Sequence, residues 1–248
     1  MKKKPLLSLI LIILFSGMAC AELRVNRKNP DIKKFLVLKQ LYRLSNSRSE
    51  VVVVDALNRI REVVFRNSYL PGADLYEDSN FSLAYMINRM NNDVDKIFEG
   101  LVNLDNMVDA ANLDDKEDRA ILSMVRTMIL EEIKLILGSG YFQKCQDNES
   151  SLYAAYEKGW HQSSKLSAAD RERNRRAIAK RQKLLDFAWY IYAEQSLWLM
   201  KTGFMLEKLD FSAYSMKELP ALKKEIAYSA PPRLYISGNI EDYILKTH

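Results

Sequence analysis

Residues 83–108 read LAYMINRMNNDVDKIFEGLVNLDNMV. Within them Leu83, Ile87, Met90, Val94, Ile97, Leu101, Leu104 and Val108 are spaced 4, 3, 4, 3, 4, 3 and 4 residues apart. A helix turns once in about 3.6 residues, so this alternation places all eight side chains in one stripe. The stripe requires a single long helix, about 80–112, lying lengthwise against another helix. Two partners satisfy it. One is a neighbouring helix of the same chain, in an antiparallel helical bundle. The other is a second copy, in an intermolecular coiled coil that makes the chain a homo-oligomer.

The flanking segments repeat the helical period. Upstream, Ile32, Phe35, Leu38, Leu41 and Tyr42 mark a helix over 31–45. Ser47-Arg48-Ser49-Glu50 is a capping-box pattern that starts the next one. Val51–Val54 alone would suit a strand, but Leu57, Ile60, Val63 and Val64 continue the run at helical spacing. Residues 67–79 form a loop around Pro71-Gly72. Downstream, Asp114–Asp118 puts carboxylates in a first helical turn, where the macrodipole favours them. The apolar face from Ile121 to Ile136 then runs to a stop at Gly138. So short a link between long helices predicts an antiparallel hairpin.

Residues 138–149 read as irregular, followed by a short helix over 150–160. Ser167-Ala168-Ala169-Asp170 caps a long helix running to about 209. Its first half is charged. Its second half is apolar and aromatic around a narrow polar strip of Asp186, Glu194 and Lys201, which predicts a central, nearly surrounded helix. A last helix begins near Leu219 and ends at Pro231-Pro232. The expected fold class is all-α: an antiparallel helical bundle or long helical hairpins, with one heptad-patterned helix. Only 8 Gly and 6 Pro in 248 residues agree with long helices and few tight turns.

The first residues have a different logic. Lys2, Lys3 and Lys4 precede an apolar decamer, Leu6–Phe15, which Ser16-Gly17 interrupts. This is the layout of a secretion signal, and the apolar run is short for a membrane span. Two processing chemistries are open. Ala19-Cys20-Ala21 reads as an A-x-A cleavage site before Glu22. Gly17-Met18-Ala19-Cys20 resembles a bacterial lipobox, which implies lipidation of Cys20 and membrane attachment; Gly17 stands where that motif usually has Leu. The expected organisation is a signal peptide at 1–21, a tether at 22–30, a helical domain at 31–229 and a C-terminal tail at 230–248. The expected location is the periplasm, or a membrane-anchored lipoprotein facing it.

Chemistry-bearing residues are sparse. The sequence has two His and two Cys, and the mature body would keep one thiol, Cys145, which reads as a small half-buried residue. Glu157 and His161 stand four residues apart, too few ligands for a metal site. No metal and no cofactor are expected, and no catalytic residue is assigned. Glu149-Ser150 resembles the catalytic Glu-Ser of lytic transglycosylases, which are helical envelope enzymes. The Gly-Leu-Met-Gln and Ala-Tyr-Asn elements of that family have no counterpart in this chain.

Charge supplies the candidate binding surface. The chain carries a formal +5, but removing residues 1–21 leaves 34 basic residues against 32 acidic, so no nucleic-acid partner is expected. The basic residues concentrate on one helix, at Arg171, Arg175, Arg176, Lys180, Arg181 and Lys183. They suit a protein or an anionic envelope component such as lipid headgroups. The function expected is that of a non-enzymatic binding or scaffolding protein of a bacterial cell envelope. A chaperone similar to basic periplasmic coiled-coil chaperones and a peptidoglycan-active hydrolase are the alternatives.

Overall fold

A computed structural model describes residues 32–65, 83–162, 166–211, 220–221 and 223–224. The fold is all-α. The described residues form helices α1 (Ile32–Ser45), α2 (Glu50–Phe65), α3 (Leu83–Ala110), α4 (Lys116–Gly138), α5 (Tyr141–Gln162) and α6 (Ala168–Lys208). The signal segment 1–21 with Cys20, the tether 22–30, the 67–79 loop and the tail 230–248 lie outside the described residues. Among the described residues, no helix is long and apolar enough to cross a membrane.

The local rules place the helix ends. Val51–Val54 sits inside α2, and the Val53 amide donates to the Ser49 carbonyl at 3.1 Å. Asp115 caps α4, its side chain accepting from the Glu117 amide at 2.9 Å. Ser167 caps α6 by accepting from the Asp170 amide at 3.1 Å. Gly138 ends α4, and Gly140 turns the chain with φ at 63°, a left-handed conformation suited to glycine.

One expectation fails between them. The 138–149 segment is not irregular, because α5 runs unbroken from Tyr141. The break is confined to Ser139-Gly140. Phe142, Cys145 and Glu149 then follow at helical spacing, and all three are buried.

The heptad stripe of α3 is internal to the chain. Ile87, Met90, Val94, Ile97, Leu101, Leu104 and Val108 are all buried, and α3 touches α1, α2, α4, α5 and α6. It is therefore unavailable to a second copy. α3 and α4 run antiparallel: Asp118 pairs with the Asn112 amide beside the turn, and Glu132 pairs with Lys96 farther along both helices. At the α2–α3 crossing, a Cβ on Gly100 would lie 2.8 Å from the Phe65 ring. Glycine allows that approach of helix to aromatic ring.

Two apolar clusters result. The larger joins α1, α2, the second half of α3, α4 and the end of α6, and includes Leu38, Ile60, Leu101, Ile129 and Leu206. The smaller joins Ile87 and Met90 of α3, Phe142 and Cys145 of α5, and Leu185, Ala188 and Ile191 of α6. α6 spans both clusters, yet its second half is not surrounded. Trp189, Tyr190, Leu197, Met200 and Phe204 remain more than half exposed. The nearly surrounded helix is α3. The apolar composition of α6 serves two faces, and among the described residues only one of them is buried.

Candidate functional site

The basic residues of α6 divide between two environments. Arg171, Arg175, Arg176 and Lys183 are exposed and Lys180 is half-buried. At about 100° per residue these five occupy roughly half of the helix circumference, and Arg171 to Lys183 spans about 18 Å. Glu172 sits on the same arc and accepts from Arg176 at 2.9 Å and Arg175 at 3.4 Å. Arg173 pairs with Asp170 at 2.9 Å. Pairs this exposed contribute little to stability. Leaving out Arg181, six basic side chains across residues 170–183 stand beside two carboxylates of the same helix, so this stretch of α6 carries a positive excess.

Arg181 is separate from this surface. It turns inward and donates to both oxygens of Glu149, at 2.6 Å each. The Glu149 side chain is fully buried, and the Tyr153 hydroxyl donates to it at 2.8 Å. Burial, then the hydrogen bond to Glu149, pushes the Tyr153 hydroxyl well above the usual phenol range. Cys145 lies one helical turn from Glu149. Burial first, then the neighbouring carboxylate, pushes its thiol up to about 12, which leaves it inert at neutral pH. The position of Arg181 was open to detection in the sequence: residues 181, 185 and 188 share one helix face, and Leu185 and Ala188 are core residues.

A second charged cluster lies where α2, α3 and α4 meet, and the sequence reading missed it. Lys96 donates to Glu132 at 2.6 Å, and Arg61 donates to the other oxygen of the same carboxylate. Lys96 and Glu132 are both buried, and the Lys96 ammonium stands 5.3 Å from the Phe65 ring centre. Burial alone would raise the Glu132 carboxyl, but the Lys96 and Arg61 hydrogen bonds outweigh it and hold the group below its ordinary range. Asp93 has weaker support: Arg89 approaches only to 3.6 Å. Burial therefore dominates, and the Asp93 carboxyl is raised to about 6. Glu132 stands three residues from Ile129 and next to Ile133, which was the available signal of a core-facing acid.

Around the rim, Lys39 contacts Asp118 at 2.5 Å, and Arg43 forks onto Glu117 at 2.7 and 2.8 Å. Lys223 bridges Asp105 and Asp109 of α3 at 3.0 and 2.8 Å. An open groove between α2 and α4 is lined by Leu57, Asn58, Arg61, Thr127, Met128 and Glu131. Among the described residues, no three His, Cys, Asp or Glu side chains gather in a metal-binding group. Among the described residues, the outer arc of α6 holds a run of exposed cations. The two inner clusters are occupied by their own ion pairs. No family model, no curated protein and no solved structure matches this chain.

Proposed function

We propose that the chain is an exported, non-enzymatic helical binding or scaffolding protein of a bacterial cell envelope, and that it meets an anionic envelope component through the outer arc of α6. The observation that carries this reading is the sorting of α6 cations. Arg171, Arg175, Arg176, Lys180 and Lys183 point away from the core, while Arg181 is used internally. A rigid, elongated array of guanidinium and ammonium groups attracts a phosphate-bearing surface at about 1 kcal/mol per cation. The export part rests on Lys2–Lys4 and the apolar decamer 6–15. A processed chain is either released or held through a lipidated Cys20.

The test is co-sedimentation of the purified protein with vesicles rich in phosphatidylglycerol and with purely phosphatidylcholine vesicles. Binding to the first alone, weakened at least tenfold in the R175E/R176E/K183E variant and reduced by salt, is the expected result. Equal binding by wild type and variant would overturn the reading.

The chaperone-like alternative draws on the exposed apolar side chains of α6. The hydrolase alternative gains no such support. Both Glu149 oxygens face Arg181 and Tyr153, whereas a general acid must present its proton to substrate.

A further inference from the structure

The second half of α6 carries a second heptad stripe, on the side opposite its buried face. Tyr190, Ala193, Leu197, Met200 and Phe204 are spaced 3, 4, 3 and 4 residues apart. The buried face of the same segment is Ile191, Gln195, Trp198, Leu199, Thr202, Gly203 and Leu206. Tyr190, Leu197, Met200, Phe204 and the flanking Trp189 are each more than half exposed. Aromatic side chains bury about 150–250 Å² each, so Trp189, Tyr190 and Phe204, each more than half exposed, together with Leu197 and Met200 offer on the order of 500 Å² per copy. That is near the upper limit for a monomer surface, and doubled it reaches the roughly 1,000 Å² expected of a specific interface.

We infer that this strip pairs with the same strip of a second copy, as an antiparallel two-helix seam around a two-fold axis near Leu197–Met200. The charges bordering the strip select this occupant and this direction. With Tyr190, Leu197 and Phe204 at one core position and Ala193 and Met200 at the other, Glu194 and Lys201 occupy the same border position one heptad apart. Antiparallel pairing sets Leu197 against Met200 of the second copy and Ala193 against Phe204 of the second copy. It also sets Glu194 opposite Lys201 of the second copy, twice by symmetry. Parallel pairing forms neither ion pair. The strip is thus complementary to itself in one direction, as a two-fold interface demands. This interface is distinct from the basic arc, so each can fail without the other.

Sedimentation velocity on the purified protein over a range of concentrations tests the inference. A dimer is expected. Leu197→Glu should give a monomer with an unchanged helical circular dichroism spectrum. Glu194→Lys alone should weaken dimerisation at least tenfold, and Glu194→Lys/Lys201→Glu should restore it. A monomeric wild type, a dimer unaffected by Leu197→Glu, or a double variant no better than the single one would overturn the inference. So would a monomer that dimerises only when residues 225–248 are deleted, which would assign the strip to the chain's own tail.

Discussion

Arg181 of α6 holds both carboxylate oxygens of Glu149 of α5, each at 2.6 Å, and the carboxylate is fully buried. Thirty-two residues separate the two in sequence. Their pairing sets the register of the α5–α6 hairpin, with Phe142 stacked on Tyr192 at 4.8 Å farther along. Removing Arg181 strands a buried charge, whereas neutralising both partners does not. Arg181→Ala should therefore cost about 3–5 kcal/mol, and Arg181→Met/Glu149→Gln clearly less, in urea denaturation. Equal losses would show that the pair is not coupled.

Asp93 gives the fold a pH dependence of unusual sign for a carboxylate. Its folded value of about 6 lies above the ordinary 3.8, so the folded state holds its proton more tightly than the unfolded chain. Stability from this group is complete below about pH 4 and is lost as pH rises through about 6. A shift near two units corresponds to about 3 kcal/mol at most. Asp93→Asn should raise stability by roughly 1–3 kcal/mol at pH 7.5 and add nothing at pH 4. Thermal melts at the two pH values check this. An equal effect at both would remove Asp93 as the source.

Glu132 acts in the opposite direction. Its folded value is depressed, so its contribution is present above the ordinary carboxylate range and is lost as pH falls. Glu132→Gln leaves Lys96 buried without its counter-charge. The variant should be strongly destabilised at neutral pH, and the difference from wild type should narrow in acid melts.

The Thr202 hydroxyl is buried and finds no partner among the described residues. Valine has nearly the same shape and carries no such group. Thr202→Val should stabilise the fold by about 1 kcal/mol in chemical denaturation. A loss of stability would reveal an unseen bond at this hydroxyl.

Cys145 should resist thiol reagents at pH 8 in the native protein and react promptly in denaturant, because its thiol is buried and its ionisation raised to about 12. Labelling monitored by mass checks this. Rapid native labelling would mean that the α5–α6 contact opens readily.

The helices legible in the sequence are those with long apolar stripes. α3 and α4 each repeat a core position over many turns, so local period and burial agree. α5 was legible only in part. Its buried stripe is Phe142, Cys145 and Glu149, and one of those three is a charge whose partner lies on another helix. Likewise, composition could not separate Arg181 from its basic neighbours; the helix face it shares with Leu185 could. Asp93, Lys96 and Glu132 flank the stripes of α3 and α4, and only the three-helix junction shows that Lys96 and Glu132 are buried together with Asp93 half-buried nearby. The α6 reading failed for a different reason. An apolar arc says that a face seeks a partner, not whether this chain supplies it.

The proposed envelope role requires the leading apolar decamer to be an export address and not part of the folded body. Mass spectrometry of the protein's N-terminus, isolated from fractionated cells, tests this directly. The expected result is envelope material beginning at Glu22 or at a lipid-modified Cys20. An intact Met1 on protein recovered from the cytosol would contradict it.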